Sequence, residues 1–232
     1  MPTTPVSHSP ASRRSRGKPE QTRATILRAA IQEFAAEGVA GARTDAIARA
    51  ARVNKALLYY YFKDKETLYG AALDFVFAGL TETITRVLDR ELSPRETILQ
   101  FVAAHFDFIA ANPACPRMVQ QEMMRAGRTG SPHMRRIARR YLRPNFLRLR
   151  EVFREGIALG DIRRVDPAQA VPSLIALNIF YFSSAPMMRL MQPGDPLSPE
   201  RIALRRDAVL DFVSHALFTD GAHGRPEREK MS

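Results

Sequence analysis

The stretch TDAIARAARVNKALLYYYFKDKETL, from Thr44 to Leu68, decides the fold of the first part of this chain. Its first half predicts a short helix, with Thr44 placed as the N-cap. One face of that helix is apolar, and its small residues allow a second helix to cross closely. The residues of this face are Ile47, Ala48 and Ala51.

The second half of the stretch predicts another short helix after a tight turn. Asn54 can cap this helix, in which Leu58 and Phe62, four residues apart, point inward. By the same spacing Lys55 and Tyr59 share an outward face. The next outward positions are Ala56 and Tyr60. The pattern is typical of a helix-turn-helix, whose second helix is shaped to enter a DNA major groove.

The charge of the whole chain favours a polyanionic partner. The 232 residues are 45% hydrophobic, an ordinary globular composition, but 35 Lys and Arg face 24 acids and give a net charge of +11. Such an excess indicates nucleic acid first and an anionic membrane surface second. The single cysteine, Cys115, excludes an intrachain disulfide, so a cytoplasmic protein is expected.

The ends of the chain differ in composition from the rest. Residues 1–19 are rich in Pro, Ser and Arg and predict a disordered basic arm, either a solvated tail or a segment that touches DNA phosphates or a minor groove. No apolar stretch follows Arg13 and Arg14 as a signal peptide requires. No run approaches the roughly 18 apolar residues of a membrane span, so a soluble protein is predicted. Residues 221–232 predict a polar tail.

Between these ends the hydrophobic period is helical, so the predicted fold class is all-α with about nine helices. Residues 20–66 form the predicted helix-turn-helix domain and residues 67–220 a larger helical domain. Gly38 ends the first helix, and Ser93 with Glu96 forms a predicted capping box. The predicted helices are 20–37, 44–51, 54–61, 64–90, 93–111, 114–127, 131–160, 167–191 and 198–219.

Residues 22–73 resemble the DNA-binding domain of the TetR (tetracycline repressor) family of bacterial transcriptional regulators. The resemblance covers about the first third of the chain, and the remainder is similar in length and layout to that family's ligand-binding and dimerising domain. Arg52 departs from the family pattern, which usually has a glycine in the turn; a left-handed non-glycine residue there costs roughly 1 to 2 kcal/mol. The matching residues are Phe34, Gly38, Thr44, Ile47, Ala48, Ala51, Lys55 to Phe62 and Lys63 to Glu66.

The resemblance implies a DNA-binding set of nine residues: Thr44, Asn54, Lys55, Ala56, Leu57, Tyr59, Tyr60, Tyr61 and Lys65. Phosphate contacts are implied for Thr44, Tyr59, Tyr60 and Lys65. Base contacts are implied for Lys55 and Ala56, with Tyr61 as a further candidate. Leu57 stands where many relatives have a small polar residue, and we interpret it as an apolar contact with thymine. The alternative is that the tyrosines cover a small hydrophobic core, most of all Tyr61.

The larger predicted domain contains apolar helices with a few polar residues, a pattern typical of a small-molecule pocket. The candidates are Phe101, His105, Phe108, Met118, Glu122, Met123, Asn178 and Phe182. The alternative is that these residues are plain core. The resemblance implies that a ligand here would release the DNA. Cys115 is either a redox sensor or a small apolar residue, and the basic run from Arg135 to Arg150 is a solvated face, an anionic-ligand site or an acidic-partner site.

The last two long helices have wide apolar faces, and in relatives such a pair makes a four-helix dimer interface. The candidate interface residues are Ile175, Ile179, Val209, Phe212, Val213 and Leu217. A two-fold dimer would place its recognition helices about 34 to 36 Å apart, matching an inverted-repeat operator on double-stranded DNA. A ligand that tilts the helix of residues 64–90 would change that spacing.

Other function classes fit less well. The chain has no Gly-rich phosphate loop, no GxSxG elbow and no HExxH or paired-cysteine spacing, so no enzyme, cofactor or metal site is expected. The basic residues are spread over many helices, which argues against membrane binding. The sequence therefore predicts a homodimeric repressor released by a small-molecule effector, cytoplasmic and nucleoid-associated when bound to DNA. The alternative is an architectural or constitutive DNA-binding protein that no ligand releases.

Overall fold

The helices begin where the sequence places N-cap residues. A computed structural model describes residues 17–127 and 130–219, and this part of the chain is helical apart from turns and one isolated bridge between Ile162 and Phe218. Ser93 accepts a hydrogen bond from the Glu96 amide while the Glu96 carboxylate accepts one from the Ser93 amide, which completes the predicted capping box. The all-α prediction is confirmed for the described residues.

The helix bounds follow the predicted ones closely. Helix α1 is interrupted at Gly38, which has a φ of 66° and so adopts a conformation that glycine tolerates best. The helices are α1 Gly17–Gly41, α2 Thr44–Ala50, α3 Lys55–Tyr61, α4 Lys65–Leu88, α5 Pro94–Ala111, α6 Ala114–Ala126, α7 Pro132–Ile137, α8 Arg143–Leu159, α9 Pro167–Met191 and α10 Pro199–Leu217.

Two predictions about the start of the chain need correction. Helix α1 already begins at Gly17, so residues 17–19 are not part of an arm. The rest of the predicted arm and the tail of residues 221–232 lie outside the described residues. Thr44 is the first helical residue rather than the N-cap; Arg43 takes that position and makes no side-chain cap. Instead the Arg43 amide donates to the Glu33 carboxylate at 2.9 Å, so α1 stabilises the start of α2.

The single helix predicted for residues 131–160 is divided into three parts. Between α7 and α8 lies a π-helical segment, Ala138–Leu142. The interruption comes directly before Pro144, which has no amide hydrogen for the helical ladder. Single π-helical turns inside α-helices occur frequently at functional sites, because they re-aim the side chains around them.

The chain forms two compact units, one up to Phe75 and the other from Val76 onward. In the first unit the predicted stripe of α1 is buried, and Phe34 meets Tyr69 edge to face at 5.0 Å. In the second unit α5 packs against α8, α9 and α10 around a core that includes Ile98, Phe153 and Val213. Burial of each such side chain stabilises the fold by about 1.5 to 3 kcal/mol.

Helix α9 corrects the prediction that no stretch approaches a membrane span, because its length and composition would allow it to cross a membrane. An 18-residue window of the helix has a mean hydropathy of 1.3, and 33% of that window is buried. It packs against α5, α6, α8 and α10 and carries the buried Asn178, which donates to the backbone carbonyl of Val102. These contacts are those of a core helix of the second unit.

Candidate nucleic-acid interface and ligand cavities

The turn between α2 and α3 is a Schellman motif, a helix end closed by two backbone hydrogen bonds. The Val53 amide donates to the Ala48 carbonyl at 3.0 Å, and the Arg52 amide donates to the Arg49 carbonyl at 3.1 Å. Arg52 has a φ of 56° and is the non-glycine residue with positive φ in the described part of the chain. The predicted left-handed turn is therefore present, with arginine at the position that glycine usually takes.

Helix α3 has one buried and one exposed side, as its sequence predicts. Asn54 caps the helix by accepting from the Leu57 amide at 2.7 Å, and Leu58 and Phe62 are buried. Tyr60 is 81% exposed and Tyr59 39% exposed, so neither lies in a core. Rings that are exposed in the free protein are available to pack against the sugar-phosphate backbone of DNA.

Two side-chain pairs join α2 to the outer face of α3. The Lys55 ammonium lies 2.7 Å from the Asp45 carboxylate, and the hydroxyls of Thr44 and Tyr59 lie 3.2 Å apart. The hydrogen bond from Lys55 lowers the pKa of Asp45, and the same bond raises the pKa of Lys55. Both ions are therefore charged at neutral pH, and the pairs connect Lys55 and Tyr59 to α2 on the exposed face.

Lys65 has a structural task that the sequence does not reveal. Its ammonium donates to the carbonyls of Ala40 at 3.0 Å and Ala42 at 3.3 Å, at the C-terminal end of α1. Cations at a helix C-terminus stabilise it because the last carbonyls carry partial negative charge. An ammonium has three hydrogens, so one remains for the phosphate contact that the family pattern implies.

The remaining positions of the predicted DNA-binding set differ in exposure. Ala56 is exposed, while Leu57 and Tyr61 are half-buried. The Tyr61 ring lies edge to face with Tyr60 at 5.5 Å and is tilted against Phe62 at 6.4 Å, so Tyr61 partly covers the core. Sequence reasoning missed three exposed cations on and around this face, although the net charge was a signal for them: Arg43, Arg49 and Lys63. Arg52 is a fourth exposed cation there.

The second unit contains two adjoining cavities of about 700 and 550 Å³, within the range of small-molecule sites. His105 and Met123 line both, Phe101 lines the larger and Phe108 the smaller. The π-helical segment contributes Ala138, Tyr141 and Leu142 to the wall of the larger cavity. The lining that the two cavities share is Phe77, Leu80, His105, Val119, Met123, Ile175 and Ile179.

Four predicted pocket residues do not line either cavity. Met118 is fully buried, and Phe182 packs against Phe106 at 5.2 Å in a separate core cluster. Glu122 is also buried, because its carboxylate accepts hydrogen bonds from Arg125 and from the Ser131 hydroxyl. Asn178 lines neither cavity and is hydrogen-bonded to His105, which lines both. These residues support the wall and do not form its surface.

His105 is a polar side chain at the centre of this apolar lining. Its Nδ1 lies 3.0 Å from the Asn178 amide nitrogen, and its ring stacks on Phe101 at 5.9 Å. Burial lowers the pKa of His105 to about 4, so the imidazole is neutral at physiological pH.

Most of the predicted dimer-interface residues face the interior of the chain. Val209, Val213 and Leu217 are buried in the core of the second unit, and Ile175 and Ile179 line the cavities. Only Phe212 is exposed, at 58%. The exposed apolar residues of α9 and α10 include instead Ala176, Phe180, Met187, Leu190, Met191, Leu204, Ala208 and Phe212.

The single cysteine and one arginine of the basic run both line cavities of the second unit. Cys115 lines the smaller cavity, and burial raises the pKa of its thiol to about 12, as expected of a small apolar residue. Arg143, from the basic run, lines the larger cavity, although its side chain is exposed. Across residues 17–127 and 130–219 no cluster of three His, Cys, Asp or Glu side chains is arranged to hold a metal ion.

Comparisons with known proteins match both units. Residues 26–72 match the family model "Bacterial regulatory proteins, tetR family", and residues 94–213 match "Tetracyclin repressor-like, C-terminal domain". The HTH-type transcriptional repressor SCO4008 of Streptomyces coelicolor is 34% identical over 176 residues, which cover 76% of this chain and 85% of that protein.

Solved structures share the fold at lower identity. The ketosteroid transcriptional regulator KstR2 of Mycobacterium tuberculosis is 20% identical with a TM-score of 0.69, and the match covers 85% of this chain and 95% of that one. AibR in complex with isovaleryl coenzyme A and operator DNA is 19% identical with a TM-score of 0.65, covering 82% and 97%.

Proposed function

This chain belongs to the TetR family of bacterial regulatory proteins, and we propose that it represses transcription as a homodimer that a small molecule releases from an inverted-repeat operator. It is a DNA-binding transcriptional regulator and not an enzyme. The observation that carries the proposal is the α2–turn–α3 surface, where Lys55, Tyr59 and Tyr60 are exposed beside the buried Leu58 and Phe62.

On DNA, we expect α3 to enter the major groove with its N-terminal residues at the base edges. Lys55 donates to guanine O6 or N7, and Ala56 allows close approach of the helix to the bases. The hydroxyls of Thr44, Tyr59 and Tyr60 and the third hydrogen of Lys65 contact phosphates. Arg43, Arg49, Arg52 and Lys63 add charge around this face and make binding fall steeply with salt.

The homodimer proposal rests on the exposed apolar stripe of α9 and α10. On α10, Leu204, Ala208 and Phe212 recur every four residues on one side, and Leu204 is 68% exposed. Phe180 of α9 is 66% exposed. A contiguous apolar surface of this kind marks an association site, and a second copy of the same two helices would cover it in an isologous interface.

The association state tests this interface directly. In sedimentation at micromolar concentration, Phe212→Glu should convert the dimer to a monomer, because a carboxylate would be buried in an apolar contact. The control is Leu159→Glu on α8, which replaces another exposed apolar residue and should leave the dimer intact. A dimer that persists in Phe212→Glu places the contact elsewhere.

Release by a ligand rests on the cavities and on α4. This helix supplies Phe77, Leu80, Thr81 and Ile84 to the wall of the larger cavity, and its first residue is Lys65, which stabilises the end of α1. A ligand that fills the cavity pushes on α4 and so changes the separation of the two recognition helices. The shift follows from a difference in ligand affinity between the DNA-bound and the free conformations.

One experiment separates this function from constitutive DNA binding. Bound sequences are selected from a random duplex pool, and the enriched duplex is titrated in a gel shift against a panel of metabolites and drugs. We expect a palindrome that one compound releases, from a protein that is cytoplasmic and nucleoid-associated when bound to DNA. A palindrome that no compound releases would favour the constitutive alternative, and the absence of enrichment would contradict sequence-specific binding.

A further inference from the structure

The hydrogen bonds of Asn178 fix the protonation of His105. The side-chain amide of Asn178 donates one hydrogen to the Val102 carbonyl at 3.0 Å, and its nitrogen lies 3.0 Å from His105 Nδ1. A flipped amide would set its oxygen against the Val102 carbonyl, acceptor against acceptor, so the orientation is determined. The second amide hydrogen therefore goes to Nδ1, which must be the unprotonated nitrogen. The hydrogen of the neutral ring is on Nε2.

This Nε2–H group has no partner in the part of the chain that the structure describes. No described residue accepts from it, and the Nε2 atom is not fully enclosed by protein. The ring is only 4% exposed, yet it lines both cavities. A donor in these surroundings is satisfied only when something enters the cavity.

We propose that His105 donates a hydrogen bond from Nε2 to an uncharged oxygen acceptor, a carbonyl or an ether, near the middle of an elongated apolar ligand that extends into both cavities. The proposal rests on the ligand-gated function argued above and names the chemistry of the ligand. His105 lies on the wall that the two cavities share, so the middle of a ligand that occupies both cavities lies beside the Nε2–H group.

The other lining residues argue for an uncharged ligand body. Among the described residues no Asp or Glu lines either cavity, so a buried ammonium group would lose its hydration without a counter-ion there. Two polar side chains of the larger cavity have a protein partner, since Thr81 donates to the Tyr141 carbonyl and the side-chain oxygen of Asn145 accepts from Thr85. The cation of the lining, Arg143, is exposed and would pair with an anionic end group, not with the ligand's middle.

The test uses calorimetric titration of the full-length protein with three probes of one chain length. 6-Undecanone has a central carbonyl, 6-undecylamine replaces it with an ammonium, and undecanoate carries a terminal carboxylate. We expect 6-undecanone to bind and the amine to bind at least tenfold more weakly. A site that holds a ligand by one buried donor rejects analogues that leave the donor unpaired.

Two variants isolate the Nε2–H group. His105→Leu removes the donor and should weaken 6-undecanone roughly 5- to 100-fold, the effect of an unpaired buried carbonyl. His105→Gln keeps an N–H near the position of Nε2 and should restore affinity to within about threefold. Equal binding of ketone and amine, no binding of the ketone, or no loss in His105→Leu would overturn the proposal. Tighter binding of undecanoate would overturn its uncharged class.

A measurement on the unmodified protein guards against a variant that fails to fold. Nitrogen-15 NMR of the histidine rings should show the Nε2–H tautomer for His105, and the Nε2 proton should move downfield when 6-undecanone is added. An Nδ1–H tautomer would overturn the proposal. A gel shift on the selected operator separates the two claims. If 6-undecanone binds through His105 but does not release the DNA, only the proposal of ligand-gated release is refuted. If another compound releases the DNA and His105 variants do not change this release, only the proposed ligand chemistry is refuted.

Discussion

Replacing Arg52 with glycine should stabilise the first unit and weaken DNA binding at the same time. Arg52 closes the Schellman motif between α2 and α3 with a φ of 56°, in the left-handed region. The motif needs this backbone conformation for its two hydrogen bonds, so an L-residue there is strained whatever its side chain does. The arginine side chain is exposed, and residues 17–75 show no hydrogen bond or ion pair of this side chain that would offset the strain.

The expected gain follows from two opposing terms. Relief of the left-handed conformation contributes about 1 to 2 kcal/mol. Glycine also raises the conformational entropy of the unfolded chain, which lowers the free energy of unfolding by about 0.5 to 1 kcal/mol. The free energy of unfolding should therefore rise by roughly 0.5 to 1 kcal/mol, which for a chain of this size corresponds to a Tm increase of about 1 to 4 °C.

Arg52→Ala is the matched control, because it removes the same charge and keeps the strain. Thermal unfolding followed by circular dichroism should show the Tm increase in Arg52→Gly alone. On operator DNA the two variants should lose affinity equally, with a log-log salt slope flattened by about one unit per half-site. Equal Tm values in the two variants would refute the strain argument, and an unchanged slope would refute a phosphate contact by Arg52.

Three further changes test other residues. Lys55→Ala should cost roughly 1 to 3 kcal/mol per contacted base pair on the operator in a gel shift, and equal losses on random DNA would contradict base reading. Lys65→Met removes the cation at the end of α1 and should lower the free energy of unfolding by about 1 kcal/mol in denaturant titration; an unchanged midpoint would contradict the structural role. The same change should flatten the log-log salt slope of DNA binding by about one unit per half-site. The buried His105 should make the protein less stable as pH falls from 6.5 to about 4, because the unfolded chain takes up a proton that the folded chain refuses. That loss is about 3 kcal/mol in total, and His105→Gln should remove it from denaturant unfolding curves measured across this pH range.

Local signals explain why the first unit was so predictable from its sequence. The Asn54 cap, the inward pair Leu58 and Phe62, and the left-handed Arg52 all depend on residues within about one helical turn. The Ser93 capping box is local in the same sense. The structural role of Lys65 could not be predicted in this way, because the carbonyls that it contacts belong to residues 23 and 25 positions earlier in the chain.

The exposed side of α10 could not be predicted from the sequence for a different physical reason, and the dimer interface itself stays a prediction. Helix α10 has apolar residues on two sides, and the hydrophobic period cannot tell which side packs in the chain's own core. Val209 and Val213 lie in that core, while Leu204 and Phe212 remain exposed. Helix α9 is apolar almost all round, so its pattern selects no face at all. The hydrogen bond between His105 and Asn178 joins residues 73 positions apart, so the pattern of neither helix alone predicts it.

We propose that the ion pair between Lys55 and Asp45 lets the recognition helix prefer bases over phosphates. Both side chains are about half exposed, and an exposed pair contributes only about 0 to 1 kcal/mol. A well-placed contact to a guanine edge contributes about 1 to 3 kcal/mol, so the ammonium gains by leaving Asp45 for guanine. Where the base offers no acceptor, Lys55 stays with Asp45. The carboxylate, kept ionised by its lowered pKa, would also repel phosphates from the start of α3, and on this proposal Lys55 should contribute to sequence reading more than to general affinity.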